Sequence, residues 1–279
     1  QYDRKYTFSG SVRWDGSNLF GVKAHQKGKL LWSLGASWAL VQEAFFPIGL
    51  VTSLRLRSTY GSSGNVNKTV SHFPVISLSE NTTINQLSAT LRSVGNPSLR
   101  WERVNTLNMG LDYALGGNRI AGSIEYYDKH GVDLIGEEYL PPSAGLNFSQ
   151  AFQMNYANIR THGVDIRLTS RNLRGALDWS STVLFNYVVN KITNYNTRDV
   201  TELSYYFDGD PPPTIGRSRD AVFALRWHGL DGNTGYPIVY GREGQQTFDY
   251  PQYYADLVPD DLLLLGVSVP PFYGSLRND

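Results

Sequence analysis

The sequence predicts an all-β fold, an antiparallel transmembrane β-barrel segment, on three observations. Apolar and polar residues alternate along segment after segment, those segments run long for strands, and the stretches between them alternate between tight turns and long polar loops. Period two places apolar side chains on one face of a strand and polar ones on the other. Tyr6, Phe8, Gly10, Val12 and Trp14 form such a face against Lys5, Thr7, Ser9, Ser11 and Arg13. Leu30, Trp32, Leu34, Ala36, Trp38 and Leu40 form the next, and Leu54, Leu56 and Tyr60 stand opposite Ser53, Arg55, Arg57 and Thr59.

Leu107, Met109, Leu111, Tyr113 and Leu115 alternate with Asn108, Gly110, Asp112 and Ala114. Ile120, Ile124 and Tyr126 alternate with Arg119, Ser123, Glu125 and Lys129; Val164, Ile166 and Leu168 with Asp165, Arg167 and Thr169. Leu177, Trp179, Val183, Phe185, Tyr187 and Val189 share the seventh face, and Phe223, Leu225 and Trp227 mark a weaker eighth segment. No stretch carries a convincing helical period.

Segments of about ten residues exceed the usual soluble strand of about 5–6 and match the roughly 9–11 that cross a bilayer. Their apolar faces end in Tyr6, Trp14, Trp38, Tyr60, Tyr113, Trp179 and Tyr187, where an aromatic girdle belongs. Gly116-Gly117-Asn118 and the run before Leu177 are short connections, whereas residues 61–98, 131–160 and 193–219 are long and polar. Short turns at one end and long loops at the other is the outer-membrane layout, with the long loops outside the cell. Alternation alone does not separate a lipid-facing stripe from a sandwich core. A soluble or secreted β-sandwich that binds carbohydrate or acts as an adhesin therefore stays open as the alternative.

Composition narrows the partners. With 25 basic and 25 acidic residues among 279, the chain has no basic excess to neutralise phosphates, which argues against nucleic acid. The aromatic share of 13% is led by 18 Tyr and 6 Trp, residues suited to membrane interfaces. Cysteine is absent, which excludes disulfides and thiolate metal sites. No run approaches the roughly 20 apolar residues of a membrane helix, so a membrane role here means a barrel. Gln1-Tyr2-Asp3 opens without a basic or apolar leader, so a signal peptide is missing or the chain starts in mid-protein. The stretch Leu262–Asp279 trails off after Pro270-Pro271, and no closing strand is expected there.

No catalytic or cofactor site emerges. His25, His72, His130, His162 and His228 lack metal-ligand spacing, and Gly61-Ser62-Ser63-Gly64 is not a nucleophile elbow. Asp208-Gly-Asp210 and Asp231-Gly-Asn233 offer oxygen ligands for Ca²⁺ but fit ordinary turns better. Asp260-Asp261 read as a loop end rather than a glycosidase pair. The charged alternate positions Arg13, Arg55, Arg57, Asp112, Glu125, Lys129, Asp165 and Arg167 read as a barrel lumen in which mixed charges pair across strands and with a plug.

Several motifs then carry a family resemblance. Arg13, Asp15 and Gly16 stand in Val-Arg-Trp-Asp-Gly-Ser-Asn-Leu-Phe-Gly, followed by Ser33–Trp38, Glu43-Ala44-Phe45 and Leu54-Arg55-Leu56-Arg57-Ser58-Thr59-Tyr60-Gly61. Asn96-Pro97-Ser98-Leu99-Arg100-Trp101-Glu102 comes next, then Asn108–Tyr113 with Asp112, the Asn118-Arg119 turn, and Tyr126-Tyr127-Asp128-Lys129. Ala157–Asp165 with Gly163 and Asp165, and Gly229-Leu230-Asp231, complete the series. In this order they resemble the SusC/RagA type of TonB-dependent outer-membrane transporter; His162, Asp165 and Ala157 depart from its usual Asn, Glu and Gly.

The resemblance implies a plugged barrel of about 22 strands, of which residues 1–279 are part, with plug and N-terminal domains absent. It implies outer-membrane localisation, contact with outer-membrane lipid, and TonB-driven import of glycans or peptides with a SusD-like surface lipoprotein. Tyr205, Tyr206, Phe207, Tyr253 and Tyr254 are candidate loop contacts to substrate.

Overall fold

The computed structural model describes residues 1–18, 27–47, 49–66, 68, 72–81, 85–139, 151–195, 203–207, 211–240 and 244–279. In chain order the strands are β1 (Tyr6–Gly16), β2 (Gly28–Ala39), β3 (Val51–Asn65), β4 (Val75–Asn81), β5 (Gln86–Ser93), β6 (Glu102–Leu115), β7 (Ile120–Tyr139), β8 (Ala151–Leu173) and β9 (Trp179–Tyr195). After them come β10 (Ala221–Ala224), β11 (Trp227–Leu230), β12 (Pro237–Tyr240), β13 (Gln246–Thr247), helix α1 (Tyr250–Asp256), β14 (Leu263–Val267) and β15 (Phe272–Asn278). Eight of them form one antiparallel sheet in the order β1-β2-β3-β6-β7-β8-β9-β15. The other pairings, β4-β5, β10-β14 and β11-β12-β13, are insertions between its strands.

Register explains the alternation. Tyr6 pairs with Trp38, Trp38 with Leu56, Leu56 with Leu111, Leu111 with Ile124, Ile124 with Ile166 and Ile166 with Phe185. Directly paired residues point to the same side, so one apolar face runs across seven strands without interruption. It is not covered: Phe8 is 75% and Leu34 61% exposed. An exposed apolar patch of this extent marks a surface that meets a membrane or another protein.

The connections segregate in part as the sequence predicts: the two longest, residues 66–101 and 196–271, leave from the end opposite the Gly116-Gly117 turn, but residues 17–27 and 140–150 there are no longer than residues 40–50. At one end β2 joins β3 through residues 40–50, β6 joins β7 through residues 116–119, and β8 joins β9 through residues 174–178. All longer connections leave from the other end. In the tightest turn Gly116, Gly117 and Asn118 have φ of 56°, 65° and 68°, a left-handed run that favours Gly and Asn.

At the short-turn end Glu43 ties down two aromatics of the apolar face. It accepts the Tyr6 hydroxyl (2.6 Å) and the Trp38 indole N–H (3.0 Å) on Oε1, and Lys5 Nζ (3.2 Å) on Oε2. Tyr6 stacks on Trp38 at 6.2 Å.

Several elements differ from the sequence expectation. Residues 131–160 are largely strand, not loop: β7 and β8 extend to Tyr139 and back from Ala151. Alternation reports different surroundings on the two faces, and it fades where both faces meet similar surroundings while the backbone ladder continues. The weaker eighth segment is not part of the wall, because Phe223 lies in β10 and Trp227 in β11, two separate small sheets. The eighth wall strand is β15, in the stretch read as trailing off; Phe272 pairs with Tyr187 and Leu276 with Val183. A seven-residue helix, α1, is also present, started by the Asp249 side chain accepting the Gln252 N–H (3.3 Å).

The insertion between β9 and β15 has its own small core of Leu203, Val239, Tyr253 and Leu257. It also seals the edge of β9 beyond the reach of β15. The Ile192 N–H donates to the Arg217 carbonyl (2.9 Å), its carbonyl accepts the Gly216 N–H (2.9 Å), and Asn190 Nδ2 donates to Asp220 (2.8 Å). Unpaired strand edges invite mispairing, and these bonds remove one.

Candidate functional site

The polar face of the sheet carries a charge ladder centred on Arg57. Across the strands Arg57 pairs with Gly110, Gly110 with Glu125, Glu125 with Asp165, and Asp165 with Asn186. Because Gly110 has no side chain, the Arg57 guanidinium crosses β6 to reach Glu125 on β7; a Cβ at Gly110 would lie 2.8 Å from Arg57 Cζ. Arg57 Nε also donates to Asp112 Oδ2 (3.2 Å), and Nη2 pairs with Glu125 Oε1. Asn186 Nδ2 donates to Asp165 Oδ1 (2.7 Å). Arg55 and Arg167 flank the ladder on the same face, exposed and without an ion pair among the described residues.

Arg13 pairs with Asp15 along β1 (2.5 Å), Gly16 closes that strand opposite Gly28, and Lys129 lies over the Tyr127 ring at 4.8 Å. Removing Arg57 with Arg57→Met leaves two carboxylates facing each other without their shared cation. With side chains about a third exposed, each pair contributes at most about 1 kcal/mol. The expected loss is therefore about 1–2 kcal/mol, read as a lowered urea midpoint that Glu125→Gln in the same chain partly restores.

A second constellation fastens the long-loop end. Asn96 opens a turn through Pro97: its Oδ1 accepts the Ser98 N–H (2.9 Å), and its Nδ2 donates to the Gln153 carbonyl on β8 (3.0 Å). Leu99 and Trp101 then bury against Val66 and Ile135. Glu102 accepts the Ile135 N–H (2.8 Å) and the Asn65 amide (2.8 Å). Asn155 Nδ2 donates to the carbonyls of Arg100 (2.8 Å) and Asp133 (2.6 Å). This latch closes over a double irregularity in β7, where Asp133 takes φ of 60° between Gly131 and Leu134.

The arrangement matches known proteins. Residues 1–272 match the family described as TonB dependent receptor-like, beta-barrel. This chain belongs to the TonB-dependent receptor β-barrel family. It is 30% identical to the TonB-dependent receptor P26 of Formosa agariphila over 99% of its own length and 29% of the relative's. It is 26% identical to the TonB-dependent receptor SusC of Bacteroides thetaiotaomicron over 88% of this chain and 24% of that one. The solved RagAB peptide transporter superposes with a TM-score of 0.80 at 19% identity, over 98% of this chain and 29% of that one. The chain thus spans under a third of each of these relatives, and the SusC/RagA resemblance read from its motifs agrees with them.

Within this TonB-dependent receptor barrel segment the motif residues separate into wall and latch. Arg55, Arg57, Asp112 and Asp165 share the polar face; Asn96, Pro97, Trp101 and Glu102 build the latch; Asn118 and Arg119 form the tight turn, with the Arg119 carbonyl accepting the Arg171 N–H (2.8 Å). Gly163 lies under Tyr127, to which it is paired. Tyr127 stands in a quoted motif and the latch partner Asn155 in none, but the roles of both escape a sequence reading, because they depend on contacts across strands that no local spacing encodes.

Of the loop aromatics, Tyr253 and Tyr206 are buried, Tyr253 in the insertion core and Tyr206 edge-on to Phe223 at 5.3 Å. Tyr205, Phe207 and Tyr254 remain on the surface. Asp231 is occupied by its own turn: hydrogen bonds from the Thr234 hydroxyl and from the Thr234 and Asn233 N–H groups hold its carboxyl below the usual range. Asp208 and Asp210 lie outside the described residues, as does His25.

Proposed function

We propose that this chain is a wall portion of a TonB-dependent outer-membrane transporter that imports nutrients such as glycans or peptides with a SusD-like lipoprotein. The observation that carries the reading is the two-faced sheet: an uncovered apolar face edged with aromatics, a charged opposite face, and its two longest connections at one end. In this reading the apolar face meets lipid, the charge ladder lines the lumen, and the long connections lie outside the cell. The plug and N-terminal domains belong to other parts of the protein. The exposed cations of Arg55 and Arg167 suit contact with an acidic plug surface.

The energy for uptake comes from TonB acting on those other parts, and the wall's role is to hold its shape around them. Tyr205, Phe207 and Tyr254 are the loop aromatics left on the surface to stack on a sugar or a peptide side chain. The RagAB relative is a peptide transporter, whereas SusC shares more of its sequence with this chain, so both cargo classes stay in the proposal. Family membership sets aside the soluble sandwich.

Residues 1–279 contain no cysteine, so a cysteine introduced among them adds one defined label site over the background of the unsubstituted protein. Asn233→Cys is expected to react with a membrane-impermeant maleimide from outside, and Arg174→Cys only after the membrane is opened. Equal labelling of both in intact cells would overturn the orientation. Deleting the gene is expected to abolish growth on one polysaccharide or peptide source; unchanged growth across both classes would remove the import reading.

A further inference from the structure

On β7, β8 and β9 the apolar face ends, toward the long loops, in charge. Above the paired row Tyr126, Val164 and Tyr187 comes the row Asp128, His162 and Val189, and above that His130, Arg160 and Lys191. Arg160 holds Asp128 through Nε (3.0 Å) and Nη2 (2.7 Å), with His130 Nε2 at 3.4 Å from the same carboxylate. That one acid is thereby satisfied. Lys191 is exposed and makes no ion pair among the described residues; His162 lies diagonal to it on β8, and His130 lies beyond Arg160 on β7. These groups lie on the lipid-facing side of the wall, not on the luminal one.

Directly adjoining is a groove of about 550 Å³ on the same face. It begins at Tyr126 and Ile124 on β7, two residues along the strand from Asp128, and runs across β6, β3 and β2 to Phe8 on β1. Its floor is low because Ala36 and Ser58 pair there between the larger Phe8 and Met109. Five strands at a spacing of about 4.8 Å give it a length of roughly 19 Å. A cationic patch at the membrane margin attracts anionic head groups, and a narrow apolar trough of this length suits one extended acyl chain.

We propose that this face binds one phosphorylated glycolipid of the outward leaflet, its phosphate on Lys191, Arg160 and His130 and one acyl chain in the groove floored by Ala36 and Ser58. The proposal rests on the membrane reading above. A free phosphate would leave the groove unused, and a soluble partner cannot reach an apolar face within the bilayer. The outward leaflet follows from the cations lying at the long-loop end.

The test uses the full-length protein purified from its membrane, delipidated and titrated with diphosphoryl lipid A, read by native mass spectrometry. The wild type is expected to retain one molecule. The Lys191→Glu, His130→Glu double variant and, separately, Ser58→Phe are each expected to lower retention about tenfold. Lys191→Gln, at an exposed position, is expected to lower it several-fold while leaving the heat-modifiable mobility of the folded barrel unchanged. Retention equal to wild type in either the charge or the groove variant overturns the two-part site. Preference for phosphatidylglycerol over lipid A overturns the choice of glycolipid. Failure of the membrane reading itself shows separately, as wild-type protein released from membranes by a salt wash.

Discussion

Gly163→Leu is expected to prevent assembly of the β7-β8-β9 seam, so that the full-length protein runs as unfolded material on an unheated gel. A Cβ at Gly163 would stand 2.5 Å from the Tyr127 hydroxyl oxygen and closer still to the Tyr187 carbonyl oxygen. Tyr127, on the paired strand, lies across the glycine and uses the space its missing side chain leaves. The tyrosine can turn away, at the cost of its packing; the carbonyl belongs to the backbone of β9 and cannot move without lengthening the ladder. Overpacking in a well-filled site costs about 1–3 kcal/mol, and a collision with backbone lies at or beyond the upper end.

Gly163→Ala then gives a graded result, a lowered urea midpoint with an assembled barrel. Combining it with Tyr127→Ala should recover only the side-chain part of the loss. A Gly163→Leu protein that assembles with a wild-type midpoint would show that this motif glycine is there for some reason other than packing. The same logic applies at Gly122, under Tyr113 (2.8 Å to its hydroxyl oxygen) and against the Arg167 carbonyl.

Leu99→Ala is expected to cost about 2–5 kcal/mol, the usual range for emptying a fully buried leucine site, and to do so locally. Leu99 is 0% exposed, yet it belongs to the small latch core with Trp101, apart from any larger interior. Loss of that core should free the segment before β6 and expose the Asn155 and Glu102 hydrogen bonds to water. Amide exchange is the measurement: faster exchange at Ile135, whose N–H is held by Glu102, with unchanged exchange at Leu111 in mid-sheet. Uniform acceleration across the sheet would mean that the latch is part of the wall's global stability and not a separate fastening.

How much of the molecule is legible in its sequence follows from what each part depends on. The seven alternating segments are readable because each strand has a different medium on its two faces, and that difference is written into every second residue. Arg57, Asp112 and Glu125 are readable as one polar face for the same reason. The extensions of β7 and β8 are not, since beyond the apolar band both sides of the ladder have similar surroundings and period two loses its cause. β15 is obscured by Pro270-Pro271, although Phe272, Gly274 and Leu276 do alternate with Tyr273, Ser275 and Arg277. Helix α1 is too short for its periodicity to stand out, and its start rests on two residues only, the capping Asp249 and Pro251 in the first turn.

By itself the sequence determined the all-β class, the faces of the strands, the end from which the two longest connections leave and, through its motifs, the family. These are properties of short stretches of chain, set by the preference of each side chain for an apolar or a polar medium. Only the tertiary structure decided which residues meet: that Arg57 crosses Gly110 to reach Glu125, that Tyr127 covers Gly163, that Asn155 fastens the Asn96–Glu102 turn, and that Tyr206 and Tyr253 are buried while Tyr205, Phe207 and Tyr254 are not. Such contacts join residues tens of positions apart, and the register of strand pairing that brings them together is a property of the whole sheet.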